Sequence, residues 1–192
     1  KWTSRNIGAI VETPGFYENL SAWDNLDITA ELYGVDRKRL NEVLDIVHLS
    51  NVGNKRVKDF SLGMKQRLGI ANALVHSPRI LILDEPANGL DPAGIKDMRR
   101  LLRSLSEEQG ITVLISSHIL NEIQLLADVI GIIDRGKLLE ETGIESIKAE
   151  GQNCMLLEVD NTDQAAAVLR EMQLAYQFEQ DAIKVFCSRD IN

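Results

Sequence analysis

Two adjacent carboxylates, Asp84 and Glu85, close the apolar run Arg79-Ile-Leu-Ile-Leu-Asp-Glu85. Residues 80–83 hold no polar side chain, which predicts a parallel strand buried on both faces. The acidic pair then falls at the strand's carboxyl end, where open α/β sheets place their ligands. One carboxylate can hold a hydrated Mg²⁺ while its neighbour orients or deprotonates an attacking water, the two tasks of phosphoryl transfer. A bare Asp-Glu pair is equally compatible with a plain turn. Upstream, Ser61-Leu-Gly-Met-Lys-Gln-Arg67 opens a helical pattern, and a Ser and Gly at a helix start offer N–H groups and a positive dipole end to phosphate. An ordinary N-cap would use the same serine. Downstream, residues 111–118 predict a second buried strand ending in His118 at the same sheet edge. A single histidine there is usually structural. Beside two carboxylates and an anion-binding helix it becomes a candidate contact for a terminal phosphate.

The elements that must position these groups follow from periodicity. Residues 5–12 predict a short strand, and Thr13-Pro-Gly15 turns out of it. Ser21 and Asp24 cap a helix over residues 22–33 that Gly34 ends. Asp36 caps a second helix with the stripe Leu40, Val43, Leu44 and Val47, and residues 51–60 form a polar connection into the helix that begins at Ser61. Leu68, Ala71, Leu74 and Val75 line that helix until Pro78 stops it. Asp91-Pro92 starts a helix that turns Ile95, Met98, Leu101, Leu102 and Leu105 inward before Gly110, so strand, helix and strand make a parallel βαβ unit. A short helix over 121–127 and a hairpin around Asp134-Arg-Gly136 follow. From residue 144 the pattern reads strand (154–159), helix (162–172) and strand (182–187), with no motif that carries chemistry.

Taken in order, these motifs resemble the nucleotide-binding subunit of an ABC transporter over residues 5–143. Phe60-Ser-Leu-Gly-Met-Lys-Gln-Arg67 is similar to the family's signature motif, Ile80–Glu85 to Walker B with its catalytic glutamate, Asn88-Gly-Leu-Asp91 to the D-loop and His118 to the switch histidine. The resemblance implies that Asp84 holds Mg²⁺ through water, that Glu85 acts on the water attacking the γ-phosphate of ATP, and that His118 contacts that phosphate. It implies that Asp91 connects the two sites of a head-to-tail dimer, and that Ser61 and Gly63 touch ATP bound by the opposite subunit. It implies a partial P-loop NTPase core of α/β class with a parallel sheet. A helical subdomain at about residues 15–77, a Walker B and switch part at 78–143 and a small α+β extension at 144–192 complete the expected layout. The partners implied are an integral-membrane permease and a second nucleotide-binding subunit, at the cytoplasmic face of the cell membrane.

Three features set this chain apart. Leu62 and Met64 stand where the signature carries Gly and Gln. Glu12, in Ile7-Gly-Ala-Ile-Val-Glu-Thr-Pro-Gly15, stands where the family has Gln between the metal site and the membrane subunit. A Glu there is similar to the subgroup that exports bacitracin and lantibiotic peptides. Its carboxylate can approach Mg²⁺ but cannot donate as an amide does, so metal affinity or hydrolysis rate is expected to shift; a solvated strand-end Glu is the plainer alternative. Finally, no Gly-x-x-x-x-Gly-Lys-Ser/Thr loop occurs in the 192 residues. The expectation is a fragment of an ATPase, inactive by itself.

Composition bounds the partners. A net charge of −8 argues against a general nucleic-acid binder, and no apolar run approaches the length of a membrane span. Cys154 and Cys187 are too few for a disulfide framework and lack metal-ligand spacing, so free thiols are expected. Phe16, Tyr17, Leu20 and Trp23 either pack in the core or line a groove for a permease helix. Two competing functions stay open: a soluble ABC ATPase of DNA repair or translation, and a non-catalytic permease-binding or dimerisation module. Pull-down of a permease separates the first from the transporter reading.

Overall fold

The computed structural model describes residues 3–11, 14–146, 154–159, 161–172, 174–179 and 182–186. Two compact units divide the chain between Leu126 and Ala127.

In the first unit, β1 (Ile7–Ile10), β2 (Ile80–Asp84) and β3 (Thr112–Ser116) form a parallel sheet in the order β1-β2-β3. Register aligns Gly8 with Leu81 and Leu81 with Val113, then Ile10 with Leu83 and Leu83 with Ile115. These positions share one face because side chains alternate along a strand. Leu81 and Leu83 are buried, and Val113 and Ile115 pack against the same core. The opposite parity carries Ala9, Ile82 and Leu114, and Leu114 is 60% exposed. β2 was expected to be buried on both faces; in this unit one face is covered and the other is left partly open. Asp84 and Ser116 belong to the parity of Ile82 and Leu114.

The covered face meets α4 (Leu62–Leu74) and α5 (Pro92–Glu107), whose Leu68, Ala71, Leu74, Met98, Leu101, Leu102 and Leu105 join the core. Ile95 is only half-buried. The fit of α4 on β1 depends on small residues: a Cβ at Gly8 would stand 2.5 Å from the Ala73 carbonyl oxygen. α2 (Ala22–Tyr33) and α3 (Lys38–Ile46) pack on α4 and on each other. Ser21 and Asp24 cap α2 reciprocally, and Gly34 ends it at φ 67. Asp36 does not N-cap α3 as expected; Arg37 holds that position, and Asp36 Oδ1 instead accepts the Lys38 N–H at 2.8 Å. Residues 5 and 6, expected in the first strand, belong to a helical turn, α1 (Thr3–Asn6). Its end is tied to the sheet where the Arg79 N–H donates to the Asn6 carbonyl. Two 3-10 turns (Ser50–Val52 and Val57–Asp59) make the connection into α4, and α6 (Leu120–Leu126) follows β3.

The second unit holds the hairpin β4 (Val129–Asp134) and β5 (Lys137–Gly143). Arg135 and Gly136 both have positive φ, 47 and 76, as a two-residue type I′ turn demands. A three-stranded antiparallel sheet follows, with β8 (Ala182–Phe186) between β6 (Cys154–Leu157) and β7 (Ala175–Glu179). The helix α7 (Thr162–Glu171) packs Leu169 against Ile183 and Val185. β7 was not anticipated. Its alternating Tyr176 and Phe178, edge to face at 5.6 Å, carried the period-2 signal.

Candidate functional site

Register creates the site. β2 and β3 end at the same level, with Asp84 opposite Ser116, so the residues after both strands emerge at one sheet edge. Ser116 Oγ donates to Asp84 Oδ1 and accepts the Glu85 N–H at 3.1 Å. The same N–H also reaches the Ser116 carbonyl at 3.3 Å. Glu85 has φ 47, a left-handed conformation that costs a non-glycine residue about 1–3 kcal/mol and persists only where its surroundings impose it. The turn places the Glu85 carboxylate beside the imidazole, with Oε1 2.8 Å from His118 Nδ1. The His118 side chain is largely exposed, so the pair stands at the surface rather than inside the core.

A tight turn runs from this pair toward α5. The Asn88 N–H donates to the Glu85 carbonyl at 3.0 Å, and the Leu90 N–H to that of Ala87 at 3.2 Å. Asp91 N-caps α5, its Oδ1 accepting the Gly94 N–H at 2.9 Å. Ser61 N-caps α4 and accepts the Met64 N–H at 3.3 Å. A hydroxyl that accepts this bond keeps its own O–H to donate, so the cap and a phosphate contact are compatible. Gly63 neighbours Leu90.

Asp84, Glu85 and His118 are thus brought together, with Ser116 joining the two carboxylate-bearing residues. Ser61, Gly63 and Asp91 lie on neighbouring segments, and their hydrogen bonds described above stay within their own helix starts. Glu12 lies outside the described residues. Sequence reasoning missed Ser116, although it and Asp84 each end an apolar strand, and aligning those two ends would have paired them.

No cluster of three or more His, Cys, Asp or Glu side chains is placed to hold a metal ion among the described residues. Mg²⁺ needs less, because it keeps several waters and takes one or two carboxylates together with substrate phosphates. Asp84, held by Ser116 through one oxygen, fits that donor set. Farther along α4, Lys65 Nζ meets Glu18 Oε1 at 2.8 Å. The hydrogen bond and charge of Lys65 hold the Glu18 carboxyl below the ordinary glutamate range.

Residues 1–88 match the ABC transporter family. The chain is 54% identical to the bacitracin transport ATP-binding protein BcrA of Bacillus licheniformis over 93% of its own length and 60% of the relative's. It is 48% identical to the lantibiotic transport ATP-binding protein SrtF of Streptococcus pyogenes, over 80% of the chain and 68% of that relative. The chain therefore spans about 60% of the BcrA relative's length. Among solved structures, CbiO1 of Clostridium perfringens, part of the ABC transporter complex cbiONQ, superposes with a TM-score of 0.71 at 28% identity, covering 77% of this chain and 61% of that one. The dimeric ATP-binding cassette MJ0796, in a post-hydrolysis state with ADP and Pi, gives 0.62 at 28% identity over 73% and 64%.

Proposed function

The chain belongs to the ABC transporter family, and from that premise we propose that its full-length parent hydrolyses ATP to drive a separate membrane permease that exports an antimicrobial peptide or drug. The observation that carries the reading is the Glu85–His118 contact at the carboxyl edge of the parallel sheet, joined to Asp84 through Ser116. The similarity to bacitracin and lantibiotic transport proteins supports the substrate class. Mg²⁺, when bound with the nucleotide, would neutralise phosphate charge, and Asp84 is the residue to hold it through water.

The chain's own groups divide the remaining work. Glu85 orients the attacking water and takes its proton. His118, hydrogen-bonded to Glu85 through Nδ1, directs its other ring nitrogen toward the terminal phosphate. Ser61 and Gly63, at the N-terminus of α4, serve the nucleotide of a second subunit, and Asp91 faces the dimer axis. Glu12, a carboxylate where the family carries an amide, would be a second candidate ligand for Mg²⁺. Permease contact falls to residues 16–23, where Phe16 and Trp23 pack against the core while Tyr17, 65% exposed, and Leu20 face outward. No helix among the described residues is long and apolar enough to cross a membrane. The 192 residues contain no Gly-x-x-x-x-Gly-Lys-Ser/Thr loop, and the chain by itself is expected to turn over no ATP.

Phosphate release by the full-length protein tests the reading, with Mg²⁺ and with excess chelator. Metal-dependent release is expected; release that ignores the chelator, or none at all, overturns it. Isothermal titration of the 192-residue chain with Mg-ATP should give no micromolar binding.

A further inference from the structure

The signature-like turn at the start of α4 and the loop between Glu85 and Asp91 interlock through two reversed dipeptides, Leu62-Gly63 and Gly89-Leu90. A Cβ built on Gly89 would meet Leu62 Cδ2 at 3.0 Å, and one built on Gly63 would meet Leu90 Cδ2 at 3.6 Å. Each leucine therefore lies over the other segment's glycine. Gly89 is restricted twice: its φ of 75 disfavours any side chain, and Leu62 occupies the space a side chain would need. Leu90 is partly buried against the main core, so the loop side of the contact is anchored. Leu62 is 44% exposed and lies outside the buried core cluster.

We propose that Leu62 is a positioning residue that ties the phosphate-facing turn of α4 to loop 86–91, so that the two segments move as one. This deepens the ATPase reading above and rests on it for its functional meaning. A glycine at residue 62 would leave Gly89 uncovered and both segments free to move separately. Leucine trades that backbone freedom for a side-chain contact. The loop so held leads from Glu85 at one end to Asp91, the N-cap of α5, at the other. Placement of Ser61 thereby becomes linked to placement of both acidic residues.

Amide hydrogen exchange of the 192-residue chain tests the tie without nucleotide. Leu62→Ala keeps helix propensity while deleting the methyl groups over Gly89. Exchange at Asn88, Gly89 and Leu90 should accelerate about fivefold or more, with β2 and the middle of α5 unchanged. Leu62→Met, which refills the space, should return those amides to the parent rates. A purely local helix effect would instead move only the amides of α4. Loop exchange within about twofold of the parent in Leu62→Ala overturns the proposal, as does uniform acceleration throughout the unit. In the full-length protein the same variant should lower kcat for ATP several-fold with little change in KM. An unsubstituted full-length protein that hydrolyses no ATP overturns the ATPase reading instead, and the exchange rates alone then decide whether the tie exists.

Discussion

Glu85 Oε1 and His118 Nδ1 meet at 2.8 Å although 33 positions separate them in sequence. The contact exists because β2 and β3 are adjacent, parallel and in register to their last residues. Each side chain follows its strand by one or two residues, and the left-handed backbone at Glu85 turns its carboxylate toward the imidazole. The sheet therefore sets the distance.

Because one contact joins them, their substitutions should not add. Glu85→Gln in the full-length protein is expected to lower ATP turnover by about 10²–10⁴, the usual worth of a general base. His118→Ala should lower it by less. The double variant should be no slower than Glu85→Gln, since groups acting as a unit fail together. Steady-state rates for the four proteins complete the cycle. Multiplicative losses would show two independent roles.

Ser116 offers a test that needs no nucleotide. Its hydroxyl bridges the Asp84 carboxylate and the Glu85 N–H, so Ser116→Ala removes both bonds at once. Loss of stability of about 0.5–1.5 kcal/mol is expected in urea unfolding of this chain, since both bonds are solvent-exposed. In the full-length protein the Mg²⁺ concentration for half-maximal turnover should rise, because Asp84 loses the donor that orients it. An unchanged metal requirement would separate Ser116 from the metal site.

The sequence was legible at most positions that local chemistry decides, the N-cap expected at Asp36 excepted. The caps at Ser21, Ser61 and Asp91, the stop at Gly34 and the hairpin turn at Arg135-Gly136 all stand where turn and helix rules put them. Illegible were features set by neighbours distant in sequence. The open face at Ile82 and Leu114 depends on which layers cover the sheet, and an apolar run reads the same on one covered face or two. The Ser116 bridge depends on strand register. The Leu62–Gly89 contact needs the distance between two loops, which the unusual signature residue only hinted at.

The Lys65–Glu18 pair predicts a pH dependence of definite sign. Glu18 titrates below the ordinary glutamate value because Lys65 donates a hydrogen bond to it and lies beside it as a cation. A carboxylate lowered on folding contributes stability above its unfolded pKa, and that contribution fades as pH falls through the lowered value. At neutral pH the tie between residue 18 and α4 is therefore present in full. Carboxyl-detected NMR should place the Glu18 midpoint below the ordinary glutamate value, and Lys65→Met should raise it toward that value. An ordinary glutamate midpoint for Glu18 in the parent chain would show that solvent screens the pair completely.

Gly8 makes the most direct connection between packing and the site. A Cβ there would lie 2.5 Å from the Ala73 carbonyl oxygen and 3.2 Å from its Cβ, so an alanine cannot enter without moving backbone. β1 is held in register by β2, with Gly8 paired to Leu81, which leaves α4 as the element that yields. Overpacking of this kind costs about 1–3 kcal/mol. Gly15→Ala is the matched control, since nothing lies within 4 Å of a Cβ at that position. Urea unfolding should therefore destabilise Gly8→Ala alone. The displaced helix begins at Ser61, so the full-length Gly8→Ala protein should also lose ATP turnover beyond what its unfolded fraction explains. Equal stability of the two variants would mean that the approach of α4 to the sheet is looser than these distances describe.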